Sequence, residues 1–488
     1  MTFDLRAILT FCIAALLYAG LLTARRRAWA LLVGSLVAIY WLQPALPIRY
    51  GAYVLPTVTI VATVVMWRLT RQADSPAQSA TLSQDRITLG VIAAVVVGMS
   101  LMRFVDAEFR LTASRPPDPL AVVLVLAAVG VLMAGMTRLL LPSDPRLALA
   151  GGLVLIGVAF ILLKTEPLAV ELSRWWRGQT GQDTALAGAA DLNWLGFSYV
   201  AFRLIHTLRD RQTGLLPALS LREYVTYVIF FPSLTAGPID RAERFVSDLR
   251  ALPDGAALDA SRWTAGLARI VWGLFQKLVI ADSLAQGAAL NAVNVAQVRS
   301  PAWLWVLLYG YALRLFFDFS GYSDIAIGLG MLFGVNLPEN FDRPYLKTSI
   351  TAFWQSWHVT LSRWARFYVF SPLSRWLLMR ERKPSPTLIV LSAQIATMVV
   401  IGLWHGVTAN FVAWGLWHGV GLFVHKQWSD RTRKWYRSLG DKPWRKRAWT
   451  LWAWFLTFQY VVIGWVWFAL PDVGQGARTV ARLFGMGW

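Results

Sequence analysis

The chain has 488 residues, 56% of them hydrophobic and only 15% charged, with a mean hydropathy of +0.49. Soluble globular chains carry about 45–50% apolar and about 25% charged residues, so an ordinary soluble protein is excluded. The net charge is +20, but the basic residues sit in short stretches between long apolar runs, as the positive-inside rule and anionic lipid require, and no nucleic-acid recognition motif accompanies them.

The first apolar run, Ala7 to Thr23, is followed by Arg25-Arg26-Arg27 and a second run, and no convincing cleavage site follows it; it reads as a retained first helix. It holds the single cysteine, Cys12, which excludes a disulfide framework and a cysteine metal site. Further runs at 28–46, 51–67, 87–105, 120–141 and 147–163 approach the ~20 residues a bilayer-crossing helix needs. Arginines mark alternate connections: Arg25–Arg27, then Arg68, Arg71 and Arg86, then Arg138 and Arg146. Those connections are expected in the cytoplasm, with the N-terminus outside.

From about residue 190 the runs shorten and are broken by Gly, Pro, Asn and charges, as in Ala236-Gly-Pro-Ile-Asp240-Arg241 and Leu337-Pro-Glu-Asn340-Phe341. Broken backbone at membrane depth is tolerated only where protein or a water-filled cavity surrounds it. Two cleaner spans are expected at 387–403 and 409–425. A basic loop from His425 to Arg447, with Asp430 and Asp441 as its acids, is then the strongest cytoplasmic marker. A last span at 449–470 completes an all-α polytopic protein of roughly 11–13 membrane segments. Three parts are expected: N-terminal spans over 1–189, a core over 190–425, and the basic loop with the last span over 426–488.

Chemistry centres on five histidines: His206, His358, His405, His418 and His425. A histidine at membrane depth is a functional candidate, and its ordinary pKa suits general acid–base work. His405 stands where Gly406 to Asn410 interrupt an apolar span, which suits either a ring meeting substrate or a packing histidine bonded to a carbonyl. The hexapeptide Gly-Leu-Trp-His-Gly-Val occurs at Gly402 and again at Gly415. In one continuous helix, 13 residues give about 20 Å of rise and about 220° of rotation, so His418 is expected to be structural. His358 begins a stretch in which Ser362 and Arg366 follow at four-residue steps on one helical face. His206 and His425 resemble helix-end residues and receive no role. Asp318 and Asp324 need partners such as Arg314 or a buried hydroxyl; structural bonding within a broken helix is the expected role, with a proton relay as the alternative. There is no Gly-x-Ser-x-Gly elbow, no phosphate-binding P-loop and no His-Glu-x-x-His motif, so no metal is expected. A histidine base acting on an activated acyl donor is the economical mechanism left.

Phe317-Asp318-Phe-Ser-Gly-Tyr-Ser-Asp324-Ile-Ala-Ile-Gly328, then Leu337 to Tyr345, then Trp357-His358, then Gly402-Leu-Trp404-His405-Gly, follow in that order. The series resembles the membrane-bound O-acyltransferases over Asp191 to His425. The resemblance implies a tunnel through the membrane, with His405 catalytic and His358 its partner. Trp357, Ser362, Asp318, Asp324, Asn340 and Trp404 are expected at the substrate. No tightly bound cofactor is implied. The co-substrate would be an acyl thioester, acetyl-CoA or an acyl carrier protein, and the acceptor a hydroxyl of an exported or cell-envelope polysaccharide. Membrane lipid and a periplasmic or extracellular partner acyltransferase are further implied partners, and the bacterial inner membrane the location. Two branches resemble the chain, the alginate-type O-acetylases and the teichoic-acid D-alanyl transferases; Gly237-Pro-Ile-Asp240-Arg241 looks like the second. Where both usually continue Arg-Asp-Tyr, this chain has Arg366-Phe367-Tyr368, and Ser374-Arg375 replace the usual glycine pair of the acetylases. The competing class is a transporter or glycan flippase, which has no need of the ordered pair of histidine motifs.

Overall fold

The computed structural model describes residues 5–71, 81–139, 145–252, 259–287, 289–439 and 442–487. All its regular elements among these residues are helical. Two compact units emerge: Met1–Ile270 with Ala326–Leu337, and Val271–Ile325 with Pro338–Trp488.

The first unit opens with α1 (Leu5–Leu21), α2 (Ala24–Trp41), α3 (Gly51–Thr70), α4 (Leu82–Ser100), α5 (Pro119–Leu139) and α6 (Pro145–Lys164). These match the six expected apolar runs to within a few residues. The Arg25–Arg27 connection is shorter than expected: all three arginines already belong to α2, and Arg27 is buried with its guanidinium donating to Ala19 O at 2.8 Å. Shorter amphipathic pieces follow: α7 (Glu166–Gln179), α8 (Phe197–Gln212), α9 (Leu221–Val228), α10 (Ala242–Arg250) and α11 (Ala260–Leu274), whose last turn already belongs to the second unit. α9 packs on α2, α3 and α4. Its start is fixed by a capping box between Ser220 and Glu223 and by the Asp85 carboxylate, which accepts the Leu221 N–H at 2.8 Å.

The second unit contains α12 (Asp282–Gly287), α13 (Ala292–Gln297) and most of α14 (Pro301–Leu332). α14 is one unbroken helix of 32 residues, not the broken helix expected around Asp318 and Asp324. Gly321 holds the reason: a Cβ there would lie 2.6 Å from Gly273 O, and one at Gly273 would lie 2.5 Å from Gly321 O. Paired glycines let two backbones approach closely, as small residues do between membrane helices.

After a non-helical stretch come α15 (Ile350–Trp354), α16 (Val359–Ala365), a π-helical turn over Arg366–Phe370 and α17 (Ser371–Leu378). The unit closes with α18 (Pro386–His405), α19 (Ala409–Ser438), α20 (Pro443–Ala469) and α21 (Val473–Leu483). The expected loop from His425 to Arg447 is mainly helix: α19 continues through it to Ser438 and α20 begins at Pro443, while Asp441 lies outside the described residues. Lys and Arg are good helix formers, so the charge marks the exit from the bilayer and not the end of the helix.

Seven helices among the described residues are long and apolar enough to cross a membrane: 51–70, 82–104, 146–164, 260–297, 301–332, 386–405 and 443–469. Leu5–Leu21 and Pro119–Gly135 are shorter apolar helices, so strict length and hydropathy give fewer spans than the 11–13 expected from apolar runs alone.

α18 and α19 form a tightly packed hairpin around the turn at Gly406 to Thr408. The repeated glycines make it possible. A Cβ at Gly402 would stand 2.2 Å from Phe411 O, and one at Gly415 would stand 2.7 Å from Met398 O. The Gly402→Val variant is therefore expected to lose about 1–3 kcal/mol or more of stability through overpacking. Gly20→Val in α1, where an added Cβ meets nothing within 4 Å, should leave stability nearly unchanged. Thermal unfolding of the detergent-solubilised variants checks the contrast; equal midpoints would remove the hairpin contact.

Candidate functional site

His358 precedes α16 with φ +42°, in the left-handed region where few residues other than glycine settle. A buried, non-glycine residue held there costs energy that the surroundings must over-determine, and such residues gather at functional sites. Here the surroundings are Asn340 and its partners. Asn340 O accepts the Val359 N–H at 2.9 Å. Its Oδ1 accepts the Thr360 hydroxyl at 2.8 Å and lies 3.4 Å from the Thr360 amide nitrogen. Two donors at Oδ1 fix the amide orientation, and Nδ2 donates to Ser323 Oγ at 3.2 Å on α14.

That orientation assigns the histidine tautomer. His358 Nδ1 lies 3.0 Å from Asn340 Oδ1, an acceptor, so Nδ1 carries the proton and donates. His358 Nε2 then carries the lone pair. It is buried and has no hydrogen-bond partner. His358 stands outside the seven candidate spans. Burial first, and the nearby His405 second, push its pKa down to about 3, so the ring stays neutral across the ordinary pH range. The result is a neutral base held in one tautomer.

Trp404 links the two histidines. Its ring centroid is 6.0 Å from that of His358 and 4.3 Å from that of His405. His405 is the last residue of α18 and only half-buried. Phe468 meets its ring edge-to-face at 4.6 Å, with Phe411 at 5.7 Å and Trp414 at 5.9 Å. On the other side, Phe319 meets His358 at 4.7 Å. Rigid rings thus hold both imidazoles in an apolar setting, where a proton transfer is not diluted by bulk water.

A model of the membrane-bound O-acyltransferase family matches residues 151–469, a stretch that contains both histidines. The chain belongs to that family. It is 32% identical over 287 residues to a teichoic acid D-alanyltransferase of Streptococcus thermophilus, covering 57% of this chain and 68% of the relative. It is 34% identical over 298 residues to a probable alginate O-acetylase of Pseudomonas fluorescens, covering 60% and 54% respectively. With a peptidoglycan O-acetyltransferase of Helicobacter pylori the identity is 33% over 264 residues, covering 54% and 47%. The chain thus spans about half the length of the last two relatives.

Within this family member, the other expected site residues fall into two groups. Asn340 and Trp404 contact the histidines directly. Trp357 is buried in an aromatic stack with Phe353, Phe341, Tyr345 and Trp465, and Ser362 Oγ donates to Trp357 O at 3.2 Å. Asp318 pairs with Lys277 and not with Arg314, and Asp324 accepts from Gln276 Nε2 at 2.8 Å. The expected four-residue steps after His358 meet a π-helical turn that starts at Arg366.

His405 and His418 lie on a hairpin, so the separation expected along one continuous helix does not apply; both rings meet Trp414, at 5.9 and 4.9 Å. His418 is fully buried against Trp354 and Trp465, and neither ring nitrogen has a hydrogen-bond partner. His206 and His425 are not helix-end residues. His425 lies within α19, 3.0 Å from Thr351 Oγ1. His206 is buried in α8 beside Asp210 and Glu243, the one cluster of metal-ligand type among the described residues. Its Nε2 accepts the Ala242 N–H at 3.1 Å, and Arg241 already supplies a cation to Asp210 at 2.9 Å. Burial, with Arg241 second, pushes the His206 pKa down to about 3. The cluster is complete as an ion-pair network.

Sequence reasoning missed Thr360, Ser323 and Phe319, which orient or flank His358, and Phe468, which reaches His405 from α20. Phe319 and Ser323 belong to the motif on α14 that drew attention for its aspartates; nothing local marks Thr360 or Phe468. The Asn340→Leu variant should lose the tautomer control of His358. Acyl transfer is expected to fall about tenfold, mainly in kcat and by no more than in His358→Ala, because in the other tautomer Nε2 carries the proton and no longer accepts a hydrogen bond. Thr360→Val should lose less, since the His358–Asn340 bond remains. Steady-state kinetics of the two purified variants tests the ranking.

Proposed function

We propose that the protein transfers an acyl group, acetyl in the first instance, from a thioester donor to a hydroxyl of an exported or cell-envelope polysaccharide. The observation that carries this reading is the buried but unpartnered Nε2 of a tautomer-fixed His358, joined through Trp404 to the half-buried His405. Relatives named alginate O-acetylase and peptidoglycan O-acetyltransferase support a polysaccharide acceptor.

In this mechanism His405 takes the proton of the acceptor hydroxyl as its oxygen attacks the thioester carbonyl. The C–O bond forms, the tetrahedral intermediate collapses, the C–S bond breaks, and the proton passes to the departing thiolate. His358 Nε2 accepts a hydrogen bond from the incoming hydroxyl and aligns it. Holding both reactants in line removes much of the entropic barrier. No acyl-enzyme is needed. The only cysteine, Cys12, lies partly exposed on α1 and outside the family match. Acetyl-CoA or an acyl carrier protein would supply the thioester from the cytoplasm of a bacterial inner membrane, and a periplasmic or extracellular partner acyltransferase would receive or share the acyl group. The basic ends of α19 and α20 then face the cytoplasm, as the positive-inside rule requires.

A second reading is D-alanyl transfer toward teichoic acid. It is favoured by the D-alanyltransferase relative, 68% of whose length the chain covers. Mass spectrometry of the acyl groups released from envelope glycans of a deletion strain separates the two readings.

His405→Ala is expected to lower incorporation of labelled acyl groups into envelope glycan by about 10²–10⁴-fold while expression and insertion stay near normal. His358→Ala should impair transfer and leave a remnant. Cys12→Ala should be silent. More than about a tenth of wild-type activity in His405→Ala would remove it as the base. A dead but well-expressed Cys12→Ala would demand a covalent mechanism.

A further inference from the structure

Between α19 and α20, away from the histidine pair, lies a cavity of about 1130 Å³. Its walls are apolar. Leu416, Val420, Val424 and Trp428 line it from α19, at the four-residue spacing of one helix face. Trp452 and Leu456 line it from α20. All six are substantially exposed, and a row of this kind is foreign to a water-facing surface.

The two ends differ. Towards one end, short of Ala413 and Trp467, the Trp417 ring stacks on Tyr460 at 4.5 Å, and Trp417 Nε1 donates to Tyr460 O at 3.0 Å, so the helices are stitched together there. At the other end Trp449 meets Trp428 at 6.3 Å and Trp435 at 5.0 Å. Tryptophans of this kind mark the headgroup level of a bilayer. Ser429, Thr432 and Arg433 line the cavity at that end and offer hydrogen-bond donors. Arg431, Lys434 and Arg437 on the same part of α19 and Arg445, Lys446 and Arg447 at the start of α20 are exposed. The acid of this part of α19, Asp430, is taken by Lys426. The cavity is lined on α19 from Ala413 to Tyr436, and its apolar row from Leu416 to Trp428 rises about 18 Å, a little over half of the ~30 Å hydrocarbon thickness.

We propose that this cavity binds one anionic phospholipid, its phosphate at Arg433 and its acyl chain running along Val424 and Val420 to the Trp417–Tyr460 stitch. Two features select this occupant. The surplus charge at the Trp428–Arg433 end is positive, and the apolar row along α19 has the length of one acyl chain within a leaflet. A zwitterionic lipid would leave the cations unmatched. The same two helices carry Phe411, Trp414, Trp465 and Phe468 in the frame around His405, so the lipid braces that frame from its far end.

The test uses the full chain, delipidated in mild detergent and titrated with phosphatidylglycerol or phosphatidylcholine, with bound lipid read by native mass spectrometry. One phosphatidylglycerol per chain should be retained, about tenfold more tightly than phosphatidylcholine. Arg433→Glu, an exposed position that should not disturb folding, is expected to remove that preference. Ala453→Trp, which fills the cavity from α20, should abolish retention of the single lipid while the thermal midpoint confirms a folded protein. Equal retention of the two lipids, or retention unchanged in Arg433→Glu, would overturn the proposal.

Discussion

The second unit depends on the satisfaction of one buried amide. Asn340 is 1% exposed and stands in a non-helical stretch that runs through packed protein. Each polar group left without a partner there would cost about 1–3 kcal/mol. Its carbonyl and side chain are instead met by Val359, Thr360, His358 and Ser323. These bonds tie α14, the Leu337–Ser349 stretch and the start of α16 into one object. They also hold His358 at positive φ and choose which of its nitrogens carries the proton. The packing of this unit and the tautomer of His358 therefore rest on the same few hydrogen bonds, and one cannot be loosened without the other.

Aromatic rings do for His405 what hydrogen bonds do for His358. Rings have few rotatable bonds, so edge-to-face packing among Trp404, Phe411, Trp414, Phe468 and Trp465 places the imidazole with little residual freedom. Tyr345 extends the frame: its hydroxyl donates to Ala312 O at 2.9 Å, while Trp454 Nε1 donates to Tyr345 O at 2.8 Å. The chain's abundance of tryptophan thus serves two ends, an interfacial belt and an interior frame, and composition cannot separate them.

The N-terminal helices were legible because hydropathy alone sets them: a run long enough to cross lipid must be helical to satisfy its backbone. Where other forces decided, the sequence was silent or misleading. The Asp318–Asp324 tract looks like a helix break because Gly, Ser and two acids interrupt an apolar run. Its continuity comes from Gly273, Lys277 and Gln276, more than 40 residues away, and no local pattern announces those pairings. The basic stretch after His425 looks like a loop because charge leaves the bilayer there, yet nothing in Lys, Arg and Trp stops a helix. At the site, the two motif histidines were readable and Asn340 lay inside a noticed motif. The bond between Asn340 and His358 was not readable, since it depends on a positive φ that histidine seldom adopts.

The repeated hexapeptide shows why motif and role part company. Gly402 to Val407 and Gly415 to Val420 are identical in sequence, and in both copies the first glycine admits the backbone of the partner helix. The two copies differ in the path the backbone takes beyond the histidine. After His405 the chain turns at Gly406 to Thr408, so the imidazole stands at a helix end and stays half-exposed. After His418 the helix continues for twenty residues to Ser438, and the imidazole is sealed under Trp354, Trp414 and Trp465 with no hydrogen-bond partner for either nitrogen. The two histidines differ in where the helix stops, and the repeat records the glycine packing that brings α18 and α19 together.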